Sequence, residues 1–168
     1  MIQVASQKSK SMRKPLSRER VLETAVALAD QRGAEALTMR KLAAELGVEA
    51  MSLYNHVENK NDLLDGMINL VFGEIEVPAP SGDWKSELRT RATSTRNALN
   101  RHRWAIGEME GRTDIGPENM CVHEGVLACL RGAGFTVEMT IHAYSVQDAY
   151  IYGFVLQEAD MSSETPED

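Results

Sequence analysis

Hydrophobic residues recur along this chain at helical spacing, and no stretch alternates with a period of two for long enough to suggest a sheet. Val21, Leu22, Ala25, Val26, Leu28 and Ala29 form one apolar stripe, opened by Ser17 as N-cap and stopped by Gly33. Leu42, Ala43 and Leu46 form a second, with Thr38 as its N-cap and Gly47 as a residue that tolerates the positive φ of a helix C-cap. Val48, Leu53 and Val57 continue the buried face. Asn59 then caps a fourth helix, with Asp62 three residues on as a short capping-box analogue, and Leu63, Leu64, Met67, Ile68, Val71 and Phe72 are its apolar set. The stretch VPAPSGD, Val77 to Asp83, breaks the chain with two prolines and a glycine and reads as a domain boundary. Beyond it the pattern predicts a helix from about Trp84 to His102, a short piece around Trp104 to Met109, and a loop at GRTDIGP. A helix over roughly Glu118 to Arg131 follows, then a long one capped by Thr136 and running to about Ala159. The fold class is therefore all-α.

The segment from Leu37 to Leu64 carries the most chemistry. Its two short helices meet at a glycine turn, and a third restarts at an asparagine cap. The inward residues leave Glu49, Ala50, Met51, Ser52, Tyr54, Asn55 and His56 on the open side. A helix-turn-helix needs this arrangement: one helix braces, and the next offers its N-terminal side chains to a DNA groove.

Charge divides the chain. Residues 1–60 carry ten Lys/Arg against seven Asp/Glu, a net of +3, whereas residues 61–168 carry eight against eighteen, a net of −10. The first sixteen residues hold Lys8, Lys10, Arg13 and Lys14 with no acid, which suits either a flexible arm drawn to phosphates or a solvated tail. The acidic second half would push DNA away from everything except the first domain. No apolar run approaches a membrane span, and the start has no hydrophobic signal core, so a cytoplasmic protein with no membrane partner is expected. Cys121 and Cys129 lie on one predicted helix, too far apart to bridge, and read as two small core residues. His123-Glu124 is half of an H-E-x-x-H motif without its second histidine, and no Gly-rich phosphate loop, nucleophile elbow or C-x-x-C is present. No enzyme, metal site or cofactor is expected.

The run G-V-x-x-x-S-L-Y-x-H-V-x-x-K-x-x-L-L, Gly47 to Leu64, resembles the tetracycline-repressor (TetR) family of transcriptional regulators. A second, weaker likeness covers Gly134 to Glu158, similar to the helix that forms the ligand chamber and dimer face in the tetracycline-repressor branch. The resemblance implies a basic arm over 1–16, a helix-turn-helix DNA-binding domain over 17–63, a helical effector-binding and dimerisation domain over 64–161, and an acidic tail over 162–168. It also implies a homodimer on double-stranded operator DNA. Tyr54, His56, Lys60 and Thr38 would hold phosphates. Arg40 resembles the arginine that reaches a guanine edge, and Glu49, Ala50, Met51, Ser52 and Asn55 would read bases. An effector would enter between helices five to eight, and Trp104, Met109, Leu130, Tyr144 and Gln147 fall where such a chamber would be lined.

Two departures refine these expectations. In the tetracycline-binding branch a histidine after the sixth helix holds magnesium; the corresponding stretch here, IGEMEGRTD, has none, and Val126 and Leu127 stand near the expected polar glutamine of helix seven. The expected effector is therefore apolar or aromatic, without magnesium. The family usually runs on for two more helices, so either the chain stops early or dimerisation rests on helix eight. That helix is apolar almost all round and must bury both sides. The expected function is a ligand-responsive repressor, against a helical adaptor without effector response or a small helical enzyme.

Overall fold

The structure is a computed structural model that describes residues 15–80, 83–109, 112 and 116–163. The basic positions Lys8 to Lys14 and the acidic end after 163 lie outside the described residues, as does part of the GRTDIGP loop. Eight helices follow in order among the described residues: α1 (Arg18–Arg32), α2 (Met39–Leu46), α3 (Ala50–Leu53), α4 (Lys60–Phe72), α5 (Trp84–Arg101), α6 (Trp104–Met109), α7 (Pro117–Gly132) and α8 (Val137–Ser163). The described residues contain no strand.

The ends are set by the local chemistry. Ser17 accepts from the Arg20 N–H, Thr38 from that of Lys41, and Thr136 from that of Met139, each at 3.2 Å. Each satisfies one of the orphan donors of a first helical turn. Gly47 ends α2 at φ 69°, ψ 37°, a left-handed conformation that an L side chain resists, and its N–H turns back to the Ala43 and Ala44 carbonyls. Asn59 caps α4 through its Oδ1, which accepts from both Asn61 and Asp62 N–H.

Asp62 departs from the expected capping box. Its carboxylate reaches past Asn59 to the Glu58 N–H at 2.8 Å and takes Arg18 as a second partner. Cys121 departs as well: it is exposed on α7, and only Cys129 is in the core. The apolar stripe of α7 runs through Val122, Val126, Cys129 and Leu130, which leaves Cys121 one position off it.

Two cores meet on α4. Leu63, Leu64 and Met67 pack with Val21, Leu22, Ala25, Leu42, Leu46 and Leu53 under the helix-turn-helix. Ile68, Val71 and Phe72, from the other half of the same helix, pack with Leu99, Ala105, Val122 and Val155. A third cluster of Leu88, Val126 and Leu130 lies between α5, α7 and α8. Thus α4 belongs to both halves of the molecule, and the Pro/Gly break at 77–83 follows it. At Gly66 an added Cβ would sit 2.7 Å from a Leu22 methyl, so the absence of a side chain lets α1 and α4 approach closely.

Candidate nucleic-acid interface and sensor core

The interface starts from α2. The Thr38 hydroxyl oxygen is used in the cap, but its hydrogen stays available to donate outward. Arg40, the second residue of α2, is exposed. The Gly47 turn then delivers α3, whose only regular turn is Ala50–Leu53; Tyr54 to His56 close it as a turn anchored by Leu53, which is fully buried. Met51 is 74 % exposed and Tyr54 46 % exposed. Glu49, Asn55 and Lys60 are exposed too, and Ala50, Ser52 and His56 are half-buried. All ten side chains singled out from the sequence therefore reach the surface of the region from Thr38 to Lys60.

Arg18 fixes the far end of this region, and sequence reasoning did not single it out. Its guanidinium donates to the His56 carbonyl at 2.7 Å and to both oxygens of Asp62, at 2.6 and 3.0 Å. The Arg18 hydrogen bond, aided by the Glu58 N–H, holds the Asp62 carboxyl below its ordinary range against partial burial. One residue of α1 thus ties the turn after α3 to the start of α4. Its charge also offsets an aspartate that would otherwise repel phosphate. Because Asn59 takes the Asn61 and Asp62 N–H groups, an anion at this helix start meets the Lys60 ammonium first.

The five residues expected to line an effector chamber, Trp104, Met109, Leu130, Tyr144 and Gln147, fall into two places. Leu130 is fully buried and shares a cluster with Leu88 and Tyr144. Gln147 joins them by donating to the Leu88 carbonyl at 3.1 Å, and it lines an open groove of about 600 Å³ between α5 and α8 with Trp84, Val146 and Tyr150. Met109 and Trp104 pack instead on the core shared with α4. Trp104 donates its indole N–H to Asp30 of α1 at 2.7 Å, spanning 74 residues, so it braces α6 against the first half of the molecule.

Sequence reasoning missed the polar centre of this half. Arg91 is 1 % exposed in the middle of α5, with Nη1 2.7 Å from Asp148 and 3.3 Å from the Gln147 amide oxygen. Its buried Nε meets no acceptor among the described residues. Burial, then the charge and hydrogen bond of Asp148, push the Tyr144 phenol well up, and its ring stands edge-on to His123 at 4.6 Å. Burial and Asp148 likewise push Tyr152 up to about 12. An arginine among RTRATSTR reads as a solvated position, and only the partner on α8, 57 residues away, reveals otherwise.

On its outer side α8 leaves apolar surface uncovered. Val146 and Tyr150 are 70 % and 71 % exposed, and Ile141, Phe154 and Leu156 accompany them. No helix among the described residues is long and apolar enough to cross a membrane.

Comparison with known proteins agrees with this architecture. Residues 21–67 match the model of bacterial regulatory proteins of the tetR family, and residues 77–167 match the tetracyclin repressor-like C-terminal domain. The chain is 38 % identical to the HTH-type transcriptional repressor DrrR1 of Streptomyces coeruleorubidus, over 86 % of this chain and 54 % of that protein. It is 34 % identical to the class D tetracycline repressor protein of Escherichia coli, over 86 % and 67 % respectively. The crystal structure of the TetR family protein ActR of Streptomyces coelicolor in complex with actinorhodin superposes with a TM-score of 0.80 at 31 % identity, covering 88 % of this chain and 71 % of that one. The chain thus spans about half to two thirds of the length of these curated relatives. With both halves matched in order, this chain belongs to the TetR family of bacterial regulatory proteins.

Proposed function

We propose that the protein is a cytoplasmic transcriptional repressor that binds a palindromic operator as a homodimer and is released by a small, largely apolar or aromatic effector. The observation that carries this reading is the outward set from Thr38 to Lys60, joined in its middle by the Gly47 turn and held at its far end by Arg18. Thr38, Tyr54, His56 and Lys60 hold phosphates; Arg40, Glu49, Ala50, Met51, Ser52 and Asn55 address base edges. Half-sites lie about one helical turn apart (~34–36 Å) or a multiple of it. The second copy covers the outer face of α8, whose exposed Val146 and Tyr150 are large apolar side chains that favour burial. DrrR1 is named as a repressor, and ActR was solved with actinorhodin; both support the assignment of a repressor with a small-molecule ligand.

The effector takes the core between α5, α7 and α8. Leu130 and Tyr144 offer apolar contact, Gln147 fixes orientation, and the Arg91 Nε–H meets a hydrogen-bond acceptor on the ligand. Trp104 and Met109 act between that core and α4. The histidine-free stretch after α6 fits an effector without magnesium.

Selection of bound sites from random duplex DNA tests the first half. A recovered palindrome supports it; asymmetric single half-sites with one monomer bound overturn the dimer. On the recovered site, Lys60→Ala should weaken all duplexes and reduce the salt slope by about one unit. Arg40→Ala should lose on the order of 1–3 kcal/mol at one base pair. A thermal-shift screen followed by operator titration tests the second half. Hits that stabilise the protein, fail to bind Arg91→Gln, and never change operator affinity would leave a dimeric scaffold instead.

A further inference from the structure

His102 closes α5 and is only 7 % exposed, yet both of its ring nitrogens face carboxylates. Nδ1 lies 2.8 Å from Asp30 Oδ1 on α1, and Nε2 lies 3.1 Å from Glu74 Oε1 just beyond α4. A carboxylate only accepts, so both contacts are hydrogen bonds only when both nitrogens carry protons. A neutral ring has one N–H, and one of the two oxygens then faces a lone pair at close range. The geometry is complete only for the imidazolium.

The three residues come from three parts of the chain. Asp30 lies in the segment matched to the DNA-binding model, His102 in the segment matched to the C-terminal model, and Glu74 between the two. Trp104 donates to the same Asp30 oxygen, so two donors from the second half converge on one acceptor of the first. On its other side Glu74 takes Arg101, which donates from Nε at 3.2 Å. Burial works against the Glu74 charge, and the Arg101 and His102 hydrogen bonds outweigh it, holding that carboxyl below its ordinary range. The charged groups around the ring are thus Asp30 from α1, Glu74 after α4, Arg101 on α5, and Arg103, which lines the adjoining groove with Asp30 and Trp104. The effector core, by contrast, is built on Arg91 and Asp148.

We propose that His102, as an imidazolium held between Asp30 and Glu74, is a positioning residue that sets the DNA-binding half against the sensor half and loosens that setting when it loses a proton. The consequence for operator binding rests on the regulator reading above; the clasp itself does not. With both ring nitrogens protonated both links are made and the two halves hold one relative placement. With one of those protons gone one link is lost, the placement spreads, and operator affinity falls.

Two readouts that need no DNA decide the clasp. The ring nitrogens are followed by NMR between about pH 5 and about pH 9, either side of an ordinary histidine, with His102→Gln identifying the resonance. Label distances are measured by pulsed electron paramagnetic resonance between exposed Cys121 on α7 and Ala44→Cys on α2, while buried Cys129, its thiol pushed up by burial, reacts slowly. The expected result is a doubly protonated ring with a narrow distance distribution at low pH and a wider one above the transition. His102→Gln should be wide throughout. Asp30→Asn and Glu74→Gln, which keep an acceptor but remove a charge, should lose most of the pH response while remaining folded. A singly protonated ring across the range, or a wild-type distribution that does not change with pH, overturns the proposal. On an operator recovered by site selection, affinity should fall with pH in step with the ring, and His102→Gln should abolish that dependence. Distances that respond while affinity does not overturn the consequence for operator binding and support the clasp. Failure to recover any operator defeats the regulator reading and leaves the two DNA-free readouts to decide the clasp.

Discussion

Removing Arg18 tests whether one side chain outside the helix-turn-helix holds its open end. The guanidinium makes a two-point contact with Asp62 and a third bond to the His56 carbonyl. The pair is partly open to water, 46 % on the arginine side and 26 % on the aspartate side, so its Coulomb energy is heavily screened. Exposed pairs are worth about 0.2–1 kcal/mol, and paired geometry on a carboxylate puts this one near ~1 kcal/mol. The bond to the His56 carbonyl adds about 0.5 kcal/mol, the low end for a bond whose acceptor can turn to water. Arg18→Ala should therefore cost roughly 1.5 kcal/mol, which lowers the melting temperature of a chain this size by roughly 3–6 °C. Asp62→Ala should cost more, because it also releases the Glu58 N–H. The assay is urea denaturation of both single variants and the double variant, which gives the coupling energy directly. The expected coupling is about 1 kcal/mol at pH 7 and low salt. Arg18 holds the Asp62 carboxyl below its ordinary value, so the contribution is full above the unfolded aspartate range near ~4 and is lost as pH falls through the lower folded value. A coupling indistinguishable from zero at pH 7 would refute the clamp. A coupling that persisted with Asp62 protonated would refute its ionic character.

Gly47→Ala should destabilise the protein by about 1–2 kcal/mol in urea titration, because φ 69° crowds a Cβ against the carbonyl, and Gly47→Asn should cost less. Equal stability for Gly47→Ala and wild type would mean that the turn rearranges freely. In an ultraviolet titration of tyrosine, Tyr152 and Tyr144 should stay protonated past the ordinary phenol range, since burial and Asp148 raise both. Their contribution to stability is complete below about pH 10 and is lost as pH rises towards 12, so alkaline unfolding should accompany their ionisation; all four tyrosines titrating together in the folded protein would count against it.

What the sequence made legible was local. Ser17, Thr38, Asn59 and Thr136 each hydrogen-bond a donor two or three residues away, and Gly47 needs only its own φ, so a short window contains the whole cause. The outward face from Glu49 to Lys60 was readable for the same reason. The half from α5 onward was less so, because its chemistry depends on partners far along the chain. Arg91 and Asp148 look solvated until α5 and α8 pack, and Trp104 looks like chamber lining until Asp30 of α1 meets its N–H. Even Asp62, placed correctly in the first turn of α4, took a partner 44 residues away that no window shows. A polar residue in a helical pattern has two stable fates, water or a distant partner, and periodicity does not distinguish them.

Several distant partners line one helix. Along α4 and its end, Asp62 is tied to α1 by Arg18, Asp65 to the segment after α6 by Arg112, Asn69 to the start of α7 by the Glu118 N–H, and Glu74 to the end of α5 by Arg101 and His102. Its apolar residues divide between the two cores. Close-packed interfaces pass from one arrangement to another rather than deform smoothly. A shift of α6 or α7 that keeps these ties must therefore carry α4 with it. At the other end α1 packs closely on α4 at Gly66, where an added Cβ would sit 2.7 Å from a Leu22 methyl. A shift of α4 that keeps this packing carries α1 with it, and the pair meets α5 at Asp30–His102 and at Glu74 with Arg101 and His102. On the proposed reading, a ligand among α5, α7 and α8 acts on the outward set from Thr38 to Lys60 only by differential affinity for the two placements of that pair. On that reading the same linkage requires that operator binding in turn favour one placement of the core between α5, α7 and α8.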